Sequence, residues 1–321
     1  MIGLIKVLNA TSGIGTDLTL EDLKGIIDEL FNGARDAIDG FGPSENVKML
    51  ATEVSANNGS RIYGFLGSVP GVKEWIGSKT YKQLKEYNYV VRNKEWYNAV
   101  TMRKNELRRS GLIDIPMMLE GLVREHANNK LEMIIGALND GTSGTAYDNI
   151  AFFSNASGVR VNDNLLGGAG VTLANLKTDI TAARVAMASF VNDNGKLMRV
   201  VPNTIVCPVA LETSFLEIKN STADASGDNS GVANVVGGYI DNVIADPLLD
   251  ATDVNDWYYL ATKSALKPVV IQTEAMNEGD EFETVLDETQ WASDGILGYS
   301  VESASNVGYG LPSLAVKIVN T

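Results

Sequence analysis

The feature that most constrains this chain is a stretch of helical periodicity between Leu112 and Leu138. Ile115, Met118, Leu119, Leu122, Val123, Ala127, Met133, Ile134 and Leu138 fall on an arc covering about half of a helical wheel. Pro116 falls in the first turn, where its missing N–H does no harm. At 1.5 Å per residue such a helix is roughly 40 Å long, more than the core of a small domain requires. A rod of that length with so wide an apolar arc is expected to pack against two elements, as a spine would. His126 lies inside the arc, where a packed or hydrogen-bonded histidine is expected rather than a catalytic one.

Upstream, Leu20, Leu23, Ile27, Leu30, Phe31, Ala34 and Ile38 repeat at helical spacing, with capping-box spacing at Thr19 and Asp22. Gly40, Gly42 and Pro43 are expected to end that helix. Arg61–Leu66 and Tyr87–Thr101 are rich in Tyr, Val, Trp and Ile and read as strands. They bracket about twenty polar residues with Pro-Gly and Gly-Ser turn signals, the pattern of a long hairpin or arm.

Downstream, Thr172–Phe190 reads as an amphipathic helix and Met198–Val206 as a buried strand. Pro208 opens a helix from Val209 to Lys219, and Lys219–Gly238 reads as an exposed loop. Short strands follow at Tyr239–Ala245, Trp257–Ala261, Val269–Thr273, Phe282–Leu286, Leu297–Val301 and Leu311–Val319. The order of elements is α+β, without a βαβ repeat. At roughly 150 residues per domain, 321 residues correspond to two domains or one elaborated one.

The chemistry open to the chain is restricted. One cysteine, Cys207, allows neither an intrachain disulfide nor a cysteine-based zinc site, and one histidine excludes His-pair metal sites. Cys207, between Val206 and Pro208, is expected to be a small buried residue. No phosphate loop is present, and Gly141–Thr145 follows a helix instead of preceding one. Asp224-x-Ser226-x-Asp228 starts like a calcium loop, but Asn229 stands where the turn glycine belongs and Val235 where the bidentate Glu belongs. Carboxylate pairs arise by chance among 40 acidic residues, and no Gly-x-Ser-x-Gly elbow occurs. The expectation is no enzyme, no cofactor and no metal. No run approaches 18 consecutive apolar residues, so no spanning helix is expected, and the interrupted apolar start is too short for a signal peptide. The chain is expected to be soluble and made in the cytoplasm.

Charge is unevenly placed. The net charge is −14, yet residues 60–111 carry 11 basic against 4 acidic side chains, and residues 212–321 carry 4 against 18. Three readings of the basic segment stand side by side: a solvated lysine-rich face, docking on an acidic surface of this or another copy, and DNA contact. The last would use Lys79, Lys82, Lys85, Arg103, Arg108 and Arg109, against the overall acidity of the chain.

One further pattern is more specific. Tyr63-Gly64-Phe65-Leu66-Gly67-Ser68-Val69-Pro70-Gly71-Val72-Lys73-Glu74-Trp75-Ile76-Gly77 resembles a segment of the Mu-like phage major head subunit family. Tyr147–Phe153, Asp256–Leu260 with Leu266-Lys267-Pro268 and Gln272, and Tyr299–Gly310 match it in the same order. The stretches cover about residues 45–155 and 255–319.

The resemblance implies the Hong Kong 97-type capsid fold. It places an N-terminal arm at 1–46, an extended loop with flanking strands at 47–110 and a peripheral domain with the spine helix at 111–169. An axial domain follows at 170–260, and return strands to the peripheral domain at 261–321. It implies a major capsid protein of a tailed phage or prophage, a homo-oligomer forming hexamers and pentamers in an icosahedral shell. Double-stranded DNA would be held inside without sequence-specific binding. Scaffolding protein, maturation protease and portal are the implied partners, with assembly in the host cytoplasm and no membrane. Trp75, Lys79, Lys82, Lys85, Arg103, Arg108 and Arg109 are the expected inter-subunit residues. The alternatives are an encapsulin-type compartment of the same fold and a hydrolase using acidic residues.

Overall fold

The computed structural model describes residues 25, 29, 31–32, 42–56, 59–63, 89–103, 114–155, 160–192, 195–223, 233–276 and 281–320. The spine expected from periodicity is a single helix, α2 (Asp114–Asn139), preceded by α1 (Gly42–Leu50). Gly42 and Pro43 open α1, because proline's fixed φ and missing N–H suit a first turn as well as a stop; where the earlier helix ends lies outside the described residues. The earlier helix and its Thr19–Asp22 cap lie outside the described residues, apart from isolated helical positions that include the buried Phe31.

Two sheets flank the rod. One contains β1 (Ala51–Ala56), β4 (Lys94–Arg103), β9 (Val269–Glu274), β10 (Phe282–Asp287) and β11 (Ile296–Tyr309). The other runs in the order β5 (Leu165–Gly167), β12 (Ala315–Val319), β8 (Trp257–Leu260), β6 (Thr204–Cys207), β7 (Asn242–Ala245). A separate antiparallel ribbon joins β2 (Ser60–Tyr63) to β3 (Tyr89–Arg92). It bears out the base of the expected hairpin.

The β11 strand is 14 residues long, against the five expected at Leu297–Val301. Its first ten residues pair with β4 and its last six with β9. Residues 302–308 (Glu-Ser-Ala-Ser-Asn-Val-Gly) carry little apolar signal, so alternation could not reveal them. Likewise Tyr87–Thr101 is not one strand: it breaks at Asn93, passing from the ribbon into the sheet. Of Met198–Val206 only the end is strand, and Leu311–Val319 begins with a 3-10 turn at Pro312–Leu314.

Three apolar cores result. Leu119, Leu122 and Val123 of α2 meet Leu297, Tyr299 and Val301 of β11, together with Phe31 and Met102. Further along α2, Leu131, Ile134, Ile135 and Leu138 meet α1, β9 and the near face of the second sheet at Val206, Tyr258, Leu260 and Ala315. That sheet's far face, with Ile205, Trp257, Tyr259, Val316 and Ile318, is covered by α3 (Leu173–Ser189) and α4 (Val209–Asn220). Alternate residues of β8 thus serve different cores, as the two-residue period of a strand requires. The helix packs against two elements, as its wide apolar arc demanded. Among the described residues no helix is long and apolar enough to cross a membrane.

Candidate functional site

The two candidate chemical residues are sealed. His126 is buried between α2 and β11, with Nε2 facing Val301 O at 3.2 Å and Asn98 Oδ1 at 3.1 Å. Asn98 Nδ2 donates to Leu122 O, so its Oδ1 faces the ring as an acceptor and Nε2 carries the proton. Ser303 Oγ lies 3.0 Å from Nδ1 and donates to it. This is a serine–histidine contact, but at 2% and 5% exposure neither side chain can reach a substrate. Burial lowers the His126 pKa and keeps the ring neutral. Cys207 is buried, and its thiol is pushed up to about 12, chiefly by burial, so no thiolate forms there.

What the fold does build with polar side chains is an anchor at the foot of the β2–β3 ribbon. Gln272, fully buried on β9, accepts from Tyr63 Oη at 3.1 Å and donates to Asn93 Oδ1 at 2.6 Å. Asn93 Nδ2 donates to Glu274 Oε2 at 3.0 Å, and the other oxygen of Glu274 accepts from Gly59 N. From β11, Asn306 Nδ2 donates to Arg92 O at 2.7 Å, and Tyr309 N donates to Tyr89 Oη at 3.0 Å. Burial pushes the Tyr309 hydroxyl up to about 12, so it stays protonated and donates to Ala137 O on α2. The ribbon is thereby tied through one residue to the rod.

Glycines make room for this anchor. A Cβ on Gly308 would lie 2.5 Å from Val91 Cγ2, and one on Gly310 would run into the carbonyls of Lys267 and Pro268. Tyr63, Lys267, Pro268, Gln272, Asn306, Gly308, Tyr309 and Gly310 all belong to stretches that carried the sequence resemblance. Asn93 and Glu274 complete the network and had no periodic or motif signal to mark them.

The face of the first sheet turned away from α2 is acidic, with Glu95, Tyr97 and Asp287 exposed and Glu283 and Glu302 half-buried. Glu302 of β11 stands directly between Tyr97 of β4 and Glu283 of β10, with Asp287 and Glu95 on the same face. Tyr97 is 77% exposed. Of the expected inter-subunit residues, Arg103 lies exposed at the end of β4 beside Ile296. Trp75, Lys79, Lys82, Lys85, Arg108 and Arg109 lie outside the described residues. Tyr63 and Tyr89, held by the anchor, are the described residues that flank positions 64–88, the stretch of sequence that carries Trp75 and the three lysines.

Two family models match the chain. The phage capsid protein family matches residues 115–313, and the Mu-like prophage major head subunit gpT family matches residues 27–179. The Mu-like prophage FluMu major head subunit of Haemophilus influenzae is 24% identical over 266 residues, 83% of this chain and 63% of that protein. The major capsid protein of Escherichia phage Mu is 29% identical over 127 residues, 40% of this chain and 41% of that protein. The chain thus spans less than two-thirds of the length of either relative. A solved procapsid of bacteriophage JBD30 shares the fold at a TM-score of 0.52 and 20% identity, covering 94% of this chain and 75% of that one. The fold is α+β of the Hong Kong 97-type seen in phage capsid proteins. By these matches the chain belongs to the phage capsid protein family, with the Mu-like major head subunits as its matched relatives.

Proposed function

We propose that this protein is the major head subunit of a Mu-like phage or prophage. Copies assemble as hexamers and pentamers into an icosahedral shell around double-stranded DNA, in the host cytoplasm, and the protein then resides in the virion. It acts by adhesion and not by catalysis. Scaffolding protein, maturation protease and portal are its partners. In this reading residues 1–46 form an arm, 47–110 an extended loop, 111–169 the peripheral domain, 170–260 the axial domain and 261–321 the return strands.

The observation that supports the proposal is the acidic sheet face around Glu283 and Glu302, on a chain whose sequence carries a basic stretch between the two strands of the β2–β3 ribbon. Glu283 and Glu302 stand directly opposite one another, an arrangement that repels unless cations approach. Lys79, Lys82 and Lys85 of a neighbouring copy supply such cations, with Trp75, Arg103, Arg108 and Arg109 at the same contact. A head-to-tail contact needs two unlike surfaces on one chain, and these are two such surfaces. A net charge of −14 disfavours tight gripping of packaged phosphates.

The test is negative-stain microscopy of the expressed chain beside its Lys79→Glu, Lys82→Glu, Lys85→Glu triple variant. The wild-type chain should form shells or large rings, and the variant should lose them while its circular dichroism spectrum stays native. A wild-type chain that remains monomeric at micromolar concentration, scaffold included, contradicts the proposal.

A further inference from the structure

A second pair of unlike surfaces lies at opposite ends of β6. At its start, the segment Lys196–Val201 exposes two apolar side chains, Leu197 at 55% and Val201 at 58%, together with the exposed cations Lys196 and Arg199. Neither cation pairs with a carboxylate among the described residues. Arg199 holds a left-handed backbone with φ of +55°, a conformation that costs a non-glycine residue free energy and is retained only where the surroundings enforce it. Its neighbours fix it: Met198 N donates to Phe190 O, and Leu197 bridges Val191.

At the other end the chemistry is inverted. β7 runs parallel to β6 and leads into the short helix α5 (Pro247–Asp250), while β8 runs antiparallel and starts from the same end. Leu248 and Val254 are exposed there at 41% and 45%. Asp253 and Asp140 stand beside them, brought together where Asn139 Nδ2 donates to Thr252 Oγ1. Burial is the main cause that disfavours ionisation of Tyr258, and the nearby carboxylates of Asp256, Asp140 and Asp253 add to it.

The geometry points to a head-to-tail contact between two copies of this chain, with the Lys196–Val201 segment of one seated against the Leu248–Val254 end of the next. Each side offers exposed aliphatic side chains and charges, of opposite sign on the two sides. A contact of this kind buries the apolar pairs and lets the charges set register. Because the two surfaces sit at opposite ends of a strand, one copy cannot satisfy both, and repetition of the contact makes a ring or an open chain. The inference rests on the assembly reading above and adds a contact that does not involve the ribbon.

The test is a Leu197→Cys, Leu248→Cys double variant, assembled, oxidised and run on a non-reducing gel. The two positions are separated by the length of β6, at least about 10 Å, so a bridge within one copy is out of reach. The native Cys207 is buried and does not compete. Particles that yield a ladder of covalent multimers support the contact, and particles that yield only monomer bands overturn it. Independently, K196E/R199E should cut particle yield at least tenfold, and adding D140K/D253K should restore it; unchanged yield in K196E/R199E also overturns the contact. A wild-type chain that never assembles removes the capsid reading itself, which keeps the two failures distinguishable.

Discussion

Lys317 Nζ lies 3.0 Å from Asp256 Oδ2, and each of the two side chains is only 10% exposed. The pair stitches β12 to the start of β8. The second oxygen of Asp256 accepts from Asn320 N, and the Lys317 ammonium sits 5.6 Å from the centre of the Tyr258 ring. Removing one member leaves an uncompensated buried charge. Lys317→Met should therefore destabilise the subunit by about 3–5 kcal/mol. Lys317→Met with Asp256→Leu should cost much less, as read from urea unfolding midpoints. Equal losses in the single and double variants would show that the stranded Asp256 carboxylate carries no penalty of its own.

The anchor of the ribbon makes a local prediction. Gln272→Leu keeps the volume but strands Tyr63 Oη and the Asn93 amide, at a cost of about 1–3 kcal/mol. The loss should appear as faster hydrogen exchange at residues 60–63 and 89–92, while α3 and α4 stay protected. Uniform loss of protection would mean that the ribbon is not a separate cooperative unit.

Gly308→Ala tests the same place by volume. Its Cβ would stand 2.5 Å from Val91 Cγ2, with the Tyr89 ring at 3.3 Å, so strand β3 must shift. Overpacking of this kind costs about 1–3 kcal/mol. Gly136→Ala, where nothing lies within 4 Å of the new atom, should stabilise α2 by about 0.5–1 kcal/mol on helix propensity alone. The opposite signs are read from the two thermal midpoints.

His126 sets a pH dependence. Burial is the main cause holding its pKa below 6.5; the backbone carbonyl of Val301 and the charges of Glu281 and Glu125 pull upward, and that of Lys130 pulls downward. Below pH 6.5 the unfolded chain binds a proton that the folded chain refuses, so stability rises with pH in that range. The contribution is fully present above 6.5 and is lost as pH falls towards the lower folded value. His126→Gln should flatten this limb of the stability–pH curve below pH 6.5. A curve of unchanged slope in that range would assign the acid sensitivity to carboxylates.

Much of this architecture was legible in the sequence. Leu119, Ile134 and Leu138 marked the rod because a 26-residue helix samples its periodicity many times over. His126 and Cys207 were expected to be buried and are. The ribbon was legible from two β-rich runs around a polar stretch. The break at Asn93 was not, since an asparagine between Arg92 and Lys94 carries no turn signal unless Gln272 and Glu274 are known to lie beside it. The same holds for Asn164, whose amide serves Phe152 O and Pro312 O, and for Asn320, which accepts from Gly170 N. These buried amides act across 12 to 150 residues of chain, and local pattern has no access to such separations. The helix that opens at Gly42 and Pro43 was not expected, because both residues punctuate either end of a helix.

The most direct measurement is a single-particle cryo-electron reconstruction of the expressed chain. Closed shells are expected, in which residues 64–88 of one subunit lie over the Glu283–Glu302 face of the next, with α2 as the rod of every copy. Monomers, or a small oligomer in which that face stays open to solvent, would contradict that assembly.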